Sequence, residues 1–141
     1  ARMYCGLGMN GKVPHAHLVI KIGDRQIPAP KPEVYHPTKE YMKCVTDGLF
    51  AVVHGGTGGR CNLPNVPVSG KTGSAEAGPK GSKTHAWFCC YAPSDKPEIA
   101  CSAFVEHGGH GGSGAAPKCR AVLEQYFGIK NNALVAEKSG D

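Results

Sequence analysis

Residues 68–76 read Val-Ser-Gly-Lys-Thr-Gly-Ser-Ala-Glu, and this stretch decides the fold. Its Gly-Lys-Thr core is the ending of a phosphate-binding P-loop. A P-loop also needs a glycine five residues before Gly70, where this chain has Asn65. It needs a helix directly after the motif, where this chain has Gly78 and Pro79. The stretch is therefore interpreted as Lys-Thr-Gly on a strand.

On a strand that a ligand can reach, these residue types suit a substrate that carries a carboxylate. Lys71 offers a fixed positive charge, and Thr72 offers a hydroxyl. Gly73 has no side chain, so a peptide backbone can pair alongside it. Lys71, Thr72, Gly73 and Ser74 are therefore candidate ligand-binding residues.

The motif belongs to the first of three predicted strands, at residues 66–76, 85–92 and 98–106. Residues 93–97 join the second strand to the third, and a turn this short requires an antiparallel hairpin. Apolar side chains fall on both faces of the second and third strands. We therefore predict that both are central strands with helices over each face.

Two helices are predicted around these strands. Apolar residues recur at spacings of three and four from Thr38, which can cap the helix, to Val53. A glycine-rich loop at residues 55–59 ends that helix, and it is predicted to be a connector near the site. A second glycine-rich loop, residues 107–114, leads into a helix at 115–127.

The two ends of the chain are less regular. Residues 1–9 are predicted to end a helix that Gly11 stops, and residues 18–22 to form a short strand. Residues 23–37 contain four prolines and are predicted to lack regular structure. Residues 129–141 are predicted to be a polar C-terminal tail.

The composition is that of one packed domain: 141 residues, 40% apolar and 19% charged. The formal charge is +5, but the lysines and arginines are scattered and form no basic run. No nucleic-acid partner is therefore predicted. No stretch approaches the ~20 apolar residues that span a membrane.

Cysteines and histidines give no metal pattern. The seven cysteines are odd in number and include no Cys-x-x-Cys pair, so neither a disulfide framework nor a zinc ribbon is indicated. Cys89 and Cys90 are adjacent on a predicted strand and would point to opposite faces. His107 and His110 have a spacing that a metal could use, but no third ligand is near. We predict no metal and no cofactor.

The order of these elements resembles the C-terminal part of the transpeptidase domain of class B penicillin-binding proteins, over residues 1–128. The His-Ala-Trp-Phe run at residues 85–88 and the glycine-rich passage at 107–117 are most similar to penicillin-binding protein 2, the elongation type. The resemblance implies an α+β fold: an antiparallel sheet with covering helices, as in the penicillin-binding and serine β-lactamase-like transpeptidase fold. His85 and Trp87 are predicted to pack in its core.

The resemblance also implies a function, peptidoglycan D,D-transpeptidation, which cross-links the bacterial cell wall and is the target of β-lactams. A serine would attack a stem peptide, form an acyl-enzyme and pass the acyl group to an amine. The resemblance further implies that Lys71, Thr72 and Ser74 are catalytic, with the backbone N–H of Ser74 holding the oxyanion. It implies that these three residues, together with Gly73, bind the substrate. The implied partners are peptidoglycan stem peptides, β-lactam antibiotics, the N-terminal part of the same polypeptide and the cell-elongation machinery. The implied location is the periplasmic face of the inner membrane, with an anchor outside this chain.

The chain departs from the family pattern at the nucleophile. The family signatures Ser-x-x-Lys and Ser-x-Asn do not occur here. We therefore predict that the nucleophilic serine lies outside this chain and that the chain alone is inactive. Two alternatives stay open: a serine β-lactamase, which hydrolyses its acyl-enzyme, and a non-catalytic β-lactam sensor or scaffold of the same fold. Because sheet strands would be missing, exposed apolar surface is also predicted.

Overall fold

A computed structural model of the chain describes residues 1–76, 78–79 and 81–129. Apart from residue 129, the predicted tail lies outside the described residues. The elements, in chain order, are α1 (Arg2–Gly8), β1 (Lys12–Val13), β2 (Lys21–Ile22), β3 (Arg25–Gln26), β4 (Glu33–Val34), α2 (Lys39–His54), a 3-10 turn (Gly59–Cys61), β5 (Ser69–Ala75), β6 (His85–Ala92), β7 (Ile99–Val105), α3 (Gly111–Gly114) and α4 (Ala116–Tyr126).

Strands β5, β6 and β7 form an antiparallel sheet with β6 in the centre. The Lys-Thr-Gly motif lies on β5 at one edge of this sheet, and the β6–β7 hairpin is also confirmed. The prediction that β7 is a central strand is wrong for the described residues, where β7 is the other edge. Strand β7 is apolar on both faces because α4 packs against one face and α1 against the other, and not because strands flank it on both sides.

The main core lies between the sheet and α4. Ala86, Phe88 and Cys90 alternate along β6 and are wholly buried in one cluster with Cys119 and Leu123 of α4. A period of two is expected for a strand that turns one face to a helix. Burial of large side chains such as Phe88 and Leu123 contributes about 1.5–3 kcal/mol each, so this face holds α4 on the sheet.

The opposite face of the sheet is only partly covered. Tyr4 of α1 and Leu49 of α2 pack on Tyr91, towards the end of β6. At the start of β6, Trp87 is 41% exposed, and its ring lies 4.4 Å from the ring of Phe104, which is 48% exposed. The predicted exposed apolar surface is thereby confirmed.

The prediction that His85 and Trp87 pack in the core is wrong. Successive side chains on a strand point to opposite faces, so both residues lie on the face away from α4. Helix α1 packs only at the far end of that face and leaves them uncovered. His85 instead meets the ring of Phe104 and accepts the backbone N–H of His107 on Nδ1 at 2.9 Å.

Helix α2 has the predicted cap. The Oγ1 of Thr38 accepts the backbone N–H of Tyr41 at 3.4 Å. Glu40 lies in the first turn, where a negative charge is favoured by the helix dipole. The helix ends at Gly55, so its predicted extent is confirmed.

Replacing Thr38 with alanine is expected to lower the free energy of unfolding by about 1 kcal/mol, because a backbone N–H at the start of α2 loses its acceptor. Urea unfolding of the full-length protein measures the change. Lys39→Ala, at the next and equally exposed position, keeps the cap and is the control. Equal stabilities of the two variants would contradict a role for the cap.

The N-terminal region differs from the prediction in two places. Helix α1 is confirmed, and Gly11 follows it with a φ of +93° that favours glycine. The strand predicted at residues 18–22 is reduced to β2, since Leu18 is 99% exposed and has no apolar layer to pack against. Residues 23–37, predicted to be irregular, contain β3 and β4. Strands of two residues are short enough to fit between prolines.

Two element boundaries near the motif also differ from the prediction. Strand β5 begins at Ser69 rather than at residue 66, because Val66 pairs instead with Leu63 in an isolated antiparallel bridge. The predicted loop at residues 107–114 is irregular only as far as His110, since its last four residues form the single turn of α3. That turn lies beside β5 and helps to build the site.

Candidate active-site cleft

An open cleft of about 730 Å³ lies beside β5. Three segments of the chain line it. They are Gly56, Thr57, Gly59 and Arg60 after α2; Lys71, Thr72, Gly73 and Ser74 of β5; and His110, Gly111, Gly112 and Ser113 around α3. All four residues predicted from the motif therefore lie in one cleft, and the glycine-rich connector after α2 borders it as predicted.

Hydrogen bonds hold the motif against the neighbouring loop. The hydroxyl oxygens of Thr57 and Thr72 lie 2.7 Å apart and share a hydrogen bond. The Nζ of Lys71 donates to the carbonyl oxygen of Thr72 at 2.8 Å. The Lys71 side chain is exposed, and both residues line the cleft, so a charge and a hydroxyl are available in one space.

Helix α3 approaches β5 more closely than any side chain would allow. The backbone N–H of Gly111 donates to the Oγ of Ser74 at 3.4 Å. A Cβ added at Gly111 would collide with the carbonyl oxygens of Trp87 and Gly73 and would lie 2.9 Å from the nitrogen of Gly73. Glycine is needed here for close backbone approach. The glycine-rich passage is therefore a packing element of the site.

Among the residues that the structure describes, the lining of the cleft includes two cations and no acid. Arg60 and Lys71 are both exposed, and none of the described lining residues is Asp or Glu. All ion pairs among the described residues lie elsewhere. A site of one charge sign attracts the opposite sign, so this arrangement favours a carboxylate ligand. Sequence reasoning did not single out Arg60; its position directly after a glycine-rich loop is the signal that could have found it.

The two histidines with metal-like spacing have different neighbours. His110 lines the cleft, whereas the Nδ1 of His107 lies 3.2 Å from the carbonyl oxygen of Lys83. Both side chains are exposed. In the part of the chain that the structure describes, no group of three or more His, Cys, Asp and Glu side chains is placed to hold a metal ion.

The serines of the cleft bond to backbone groups. The Oγ of Ser74 accepts from Gly111, and the Oγ of Ser113 donates to the carbonyl oxygen of His110 at 3.2 Å. The motif lysine, Lys71, donates to a carbonyl rather than to a serine. No serine with a lysine base is present among the described lining residues. The location of the nucleophile outside this chain stays a prediction.

An antiparallel sheet whose Lys-Thr-Gly edge strand borders a cationic cleft, with helices on both faces, is the architecture of the serine acyltransferases that recognise penicillin. Residues 1–124 match the family model described as the penicillin binding protein transpeptidase domain. The chain belongs to this family.

Curated relatives agree with this assignment. The chain is 32% identical over 139 residues to peptidoglycan D,D-transpeptidase MrdA of Haemophilus influenzae, an alignment that covers 84% of this chain and 21% of that protein. It is 41% identical over 69 residues to peptidoglycan D,D-transpeptidase PbpA of Mycobacterium tuberculosis, covering 44% of this chain and 14% of that protein. The chain thus spans about a fifth or less of the length of these relatives.

Solved structures confirm the fold and the likeness to penicillin-binding protein 2. Pseudomonas aeruginosa PBP2 in complex with WCK 5153 superposes with a TM-score of 0.76 at 27% identity, covering 92% of this chain and 28% of that one. The ceftriaxone acyl-enzyme complex of penicillin-binding protein A from M. tuberculosis gives 0.73 at 26% identity, covering 87% and 30%. The α+β fold predicted from the sequence is therefore confirmed.

Proposed function

We propose that the full-length protein is a peptidoglycan D,D-transpeptidase of the penicillin-binding protein 2 type. The observation that carries this proposal is the cationic cleft along β5, with Lys71, Thr72, Gly73 and Ser74 brought together at its edge. This chain then forms the carboxylate-binding and oxyanion side of the active site. The rest of the polypeptide supplies the nucleophilic serine.

The cleft can hold the end of a stem peptide. Lys71 and Thr72 bind the terminal carboxylate of D-Ala-D-Ala through the ammonium and the hydroxyl. Gly73, without a side chain, lets the peptide backbone pair along the free edge of β5. The position of the scissile carbonyl is then close to Ser74, whose N–H donates to the developing oxyanion.

Acyl transfer proceeds in two steps, acylation of the serine and transfer of the acyl group to an amine. The serine oxygen bonds to the carbonyl carbon of the first D-Ala, and the peptide bond breaks to release the terminal D-Ala as an amine that has taken up a proton. The amine of a neighbouring stem peptide then attacks the ester, and the serine leaves with its proton restored. Two stem peptides are joined, and no cofactor is consumed.

β-Lactams are proposed to occupy the same place. Related structures are acyl-enzyme complexes with ceftriaxone and penicillin G. The β-lactam carboxylate takes the position of the peptide carboxylate at Lys71 and Thr72, and the ring carbonyl takes that of the scissile bond. The same two residues are thus expected to govern both substrate and inhibitor.

The substrate also suggests a location and partners. Peptidoglycan lies outside the cytoplasmic membrane, so we place the domain at the periplasmic face of the inner membrane, with its anchor elsewhere in the polypeptide. None of the helices in the described residues is long and apolar enough to cross a bilayer. The likeness to penicillin-binding protein 2 supports the cell-elongation machinery as a partner, together with the N-terminal part of the same polypeptide.

Intact-mass spectrometry of the full-length protein with penicillin G tests the proposal. We expect one penicilloyl adduct that persists for many minutes, together with release of D-alanine when a stem peptide and an acceptor amine are supplied. Rapid loss of the adduct would identify a β-lactamase. A persistent adduct without D-alanine release would identify a sensor, and no adduct at all would indicate a scaffold.

Arg60 is expected to strengthen binding at this site. Arg60→Ala should reduce the second-order rate constant of acylation by penicillin about tenfold, because one charge-assisted contact to a carboxylate is worth about 1.5–3 kcal/mol when fully formed. Stopped-flow fluorescence with a labelled penicillin measures the rate. Arg60→Lys preserves the charge and should recover most of it. An unchanged rate in Arg60→Ala would exclude Arg60 from the binding site.

A further inference from the structure

Four cysteine side chains lie together on the α4 side of the sheet. Cys90 of β6 and Cys101 of β7 are directly opposite each other in the strand register. Cys61 ends the 3-10 turn, and Cys119 lies in α4. Cys61, Cys90 and Cys119 are wholly buried in one apolar cluster, and Cys101 packs against that cluster while keeping part of its surface exposed. We call these four residues the thiol cluster.

The cluster has no role in the proposed transpeptidation. None of its members lines the cleft, and the acyl transfer proposed above uses no thiol. The thiol of Cys119 donates to the carbonyl oxygen of Phe88 at 3.7 Å, which places its sulfur beside β6. Four buried or half-buried sulfur atoms in one small region therefore need a separate explanation.

The strand register makes one pair suitable for a disulfide. Residues directly opposite each other in antiparallel strands have Cα atoms about 4.5–5.5 Å apart and side chains on the same face. Disulfides form across Cα separations of about 4.4–6.8 Å. Cys90 and Cys101 meet this condition. Cys101 also keeps part of its surface exposed in the part of the chain that the structure describes, so a small reagent can approach it.

The thiols also differ in acidity. The neighbouring thiols of Cys101, Cys119 and Cys61, together with burial, raise the pKa of the Cys90 thiol. The neighbouring thiols of Cys119 and Cys90 lower the pKa of the Cys101 thiol, because they stabilise its thiolate. The thiolate is the attacking species in thiol–disulfide exchange. The partly exposed member of the pair is therefore the better nucleophile.

We propose that Cys101 and Cys90 form an oxidisable pair that a low-molecular-weight disulfide converts to an intramolecular disulfide. The Cys101 thiolate attacks one sulfur of the reagent and releases the first small thiolate. Cys90 then loses its proton to that thiolate, attacks the sulfur of Cys101 and releases the second. Two cysteine thiols are oxidised, and one small disulfide is reduced to two thiols. This inference does not depend on the proposed transpeptidase activity.

The experiment treats the folded full-length protein with glutathione disulfide, blocks the remaining thiols in acid and maps peptides without reduction. We expect a linkage between Cys90 and Cys101 that fragmentation distinguishes from Cys89, and its loss on adding dithiothreitol. Linkage of Cys101 to Cys119 instead, or glutathione on Cys44 with Cys90 and Cys101 both reduced, would overturn the proposal. This measurement uses the unmodified protein and needs no variant to fold.

Variants then test the order of the steps. Cys90→Ser should trap glutathione on Cys101 as a mixed disulfide, since the resolving thiol is absent. Cys101→Ser should leave Cys90 reduced. Cys44→Ser removes an exposed thiol of α2 and should leave the linkage unchanged. Glutathionylation of Cys90 in the Cys101→Ser variant would contradict Cys101 as the attacking residue.

Discussion

Replacing Lys71 with alanine in the full-length protein is expected to lower the second-order rate constant of acylation by penicillin about 10²–10³-fold, the usual cost of removing a transition-state contact in acyl transfer. Lys71 carries the charge next to Thr72 on β5, and the other cation among the described lining residues, Arg60, lies on a different segment of the chain. Without the ammonium, the carboxylate of the ligand loses its main counter-charge. Stopped-flow fluorescence with a labelled penicillin measures the rate.

The matched control is Lys96→Ala. Lys96 is an exposed lysine in the turn between β6 and β7 and does not line the cleft, so it changes the net charge equally without touching the site. Its acylation rate should stay within about twofold of the parent, given the weakness of screened charges at a distance. Equal losses in both variants would show that Lys71 acts only through overall charge. Melting temperatures of all three proteins must agree for the comparison to hold.

Replacing Gly111 with alanine is expected to slow penicillin acylation about 100-fold and to destabilise the protein by about 1–3 kcal/mol. The added methyl group would meet the backbone of both Trp87 and Gly73, which cannot move aside as a side chain could. Strand β5 and helix α3 must separate, and the N–H of Gly111 then leaves the Oγ of Ser74. Acylation rate and urea unfolding are measured on the same preparation.

Gly48→Ala is the matched control for this substitution. Gly48 lies inside α2, and beyond its chain neighbours and the adjacent helix backbone no atom of the described residues is within 4 Å of the position that its Cβ would occupy. Alanine there should stabilise the helix by about 0.5–1 kcal/mol and leave acylation unchanged. The two glycine substitutions are thus expected to have opposite signs in stability. A normal acylation rate in Gly111→Ala would mean that α3 does not position β5.

Much of the fold follows from local patterns in the sequence. The cap at Thr38 and the spacing of apolar residues identify α2, because both are contacts within one helix. The short connection at residues 93–97 requires the β6–β7 hairpin, since five residues are too few for the crossover that parallel strands need. The four site residues, Lys71 to Ser74, are consecutive. Any fold that exposes this edge of β5 brings them to one place.

Other features depend on segments that are far apart in the chain. Arg60 and His110 reach the cleft only because the loop after α2 and the turn of α3 both pack beside β5. The same holds for the thiol cluster, whose members come from four different elements. No local sequence pattern indicates that these separate segments come into contact. The exposure of Trp87 is a further example, because an apolar strand residue looks the same whether or not a helix covers its face.

The sequence by itself determined the family, the α+β class and the motif that defines the site, because these rest on residue types and spacings within short segments. Tertiary structure alone decided which cations share the cleft, why Gly111 must be glycine, which strands are edges and which cysteines meet. Each of these features depends on how segments that are far apart in the chain pack against one another. The residue types and spacings within one short segment do not specify those contacts.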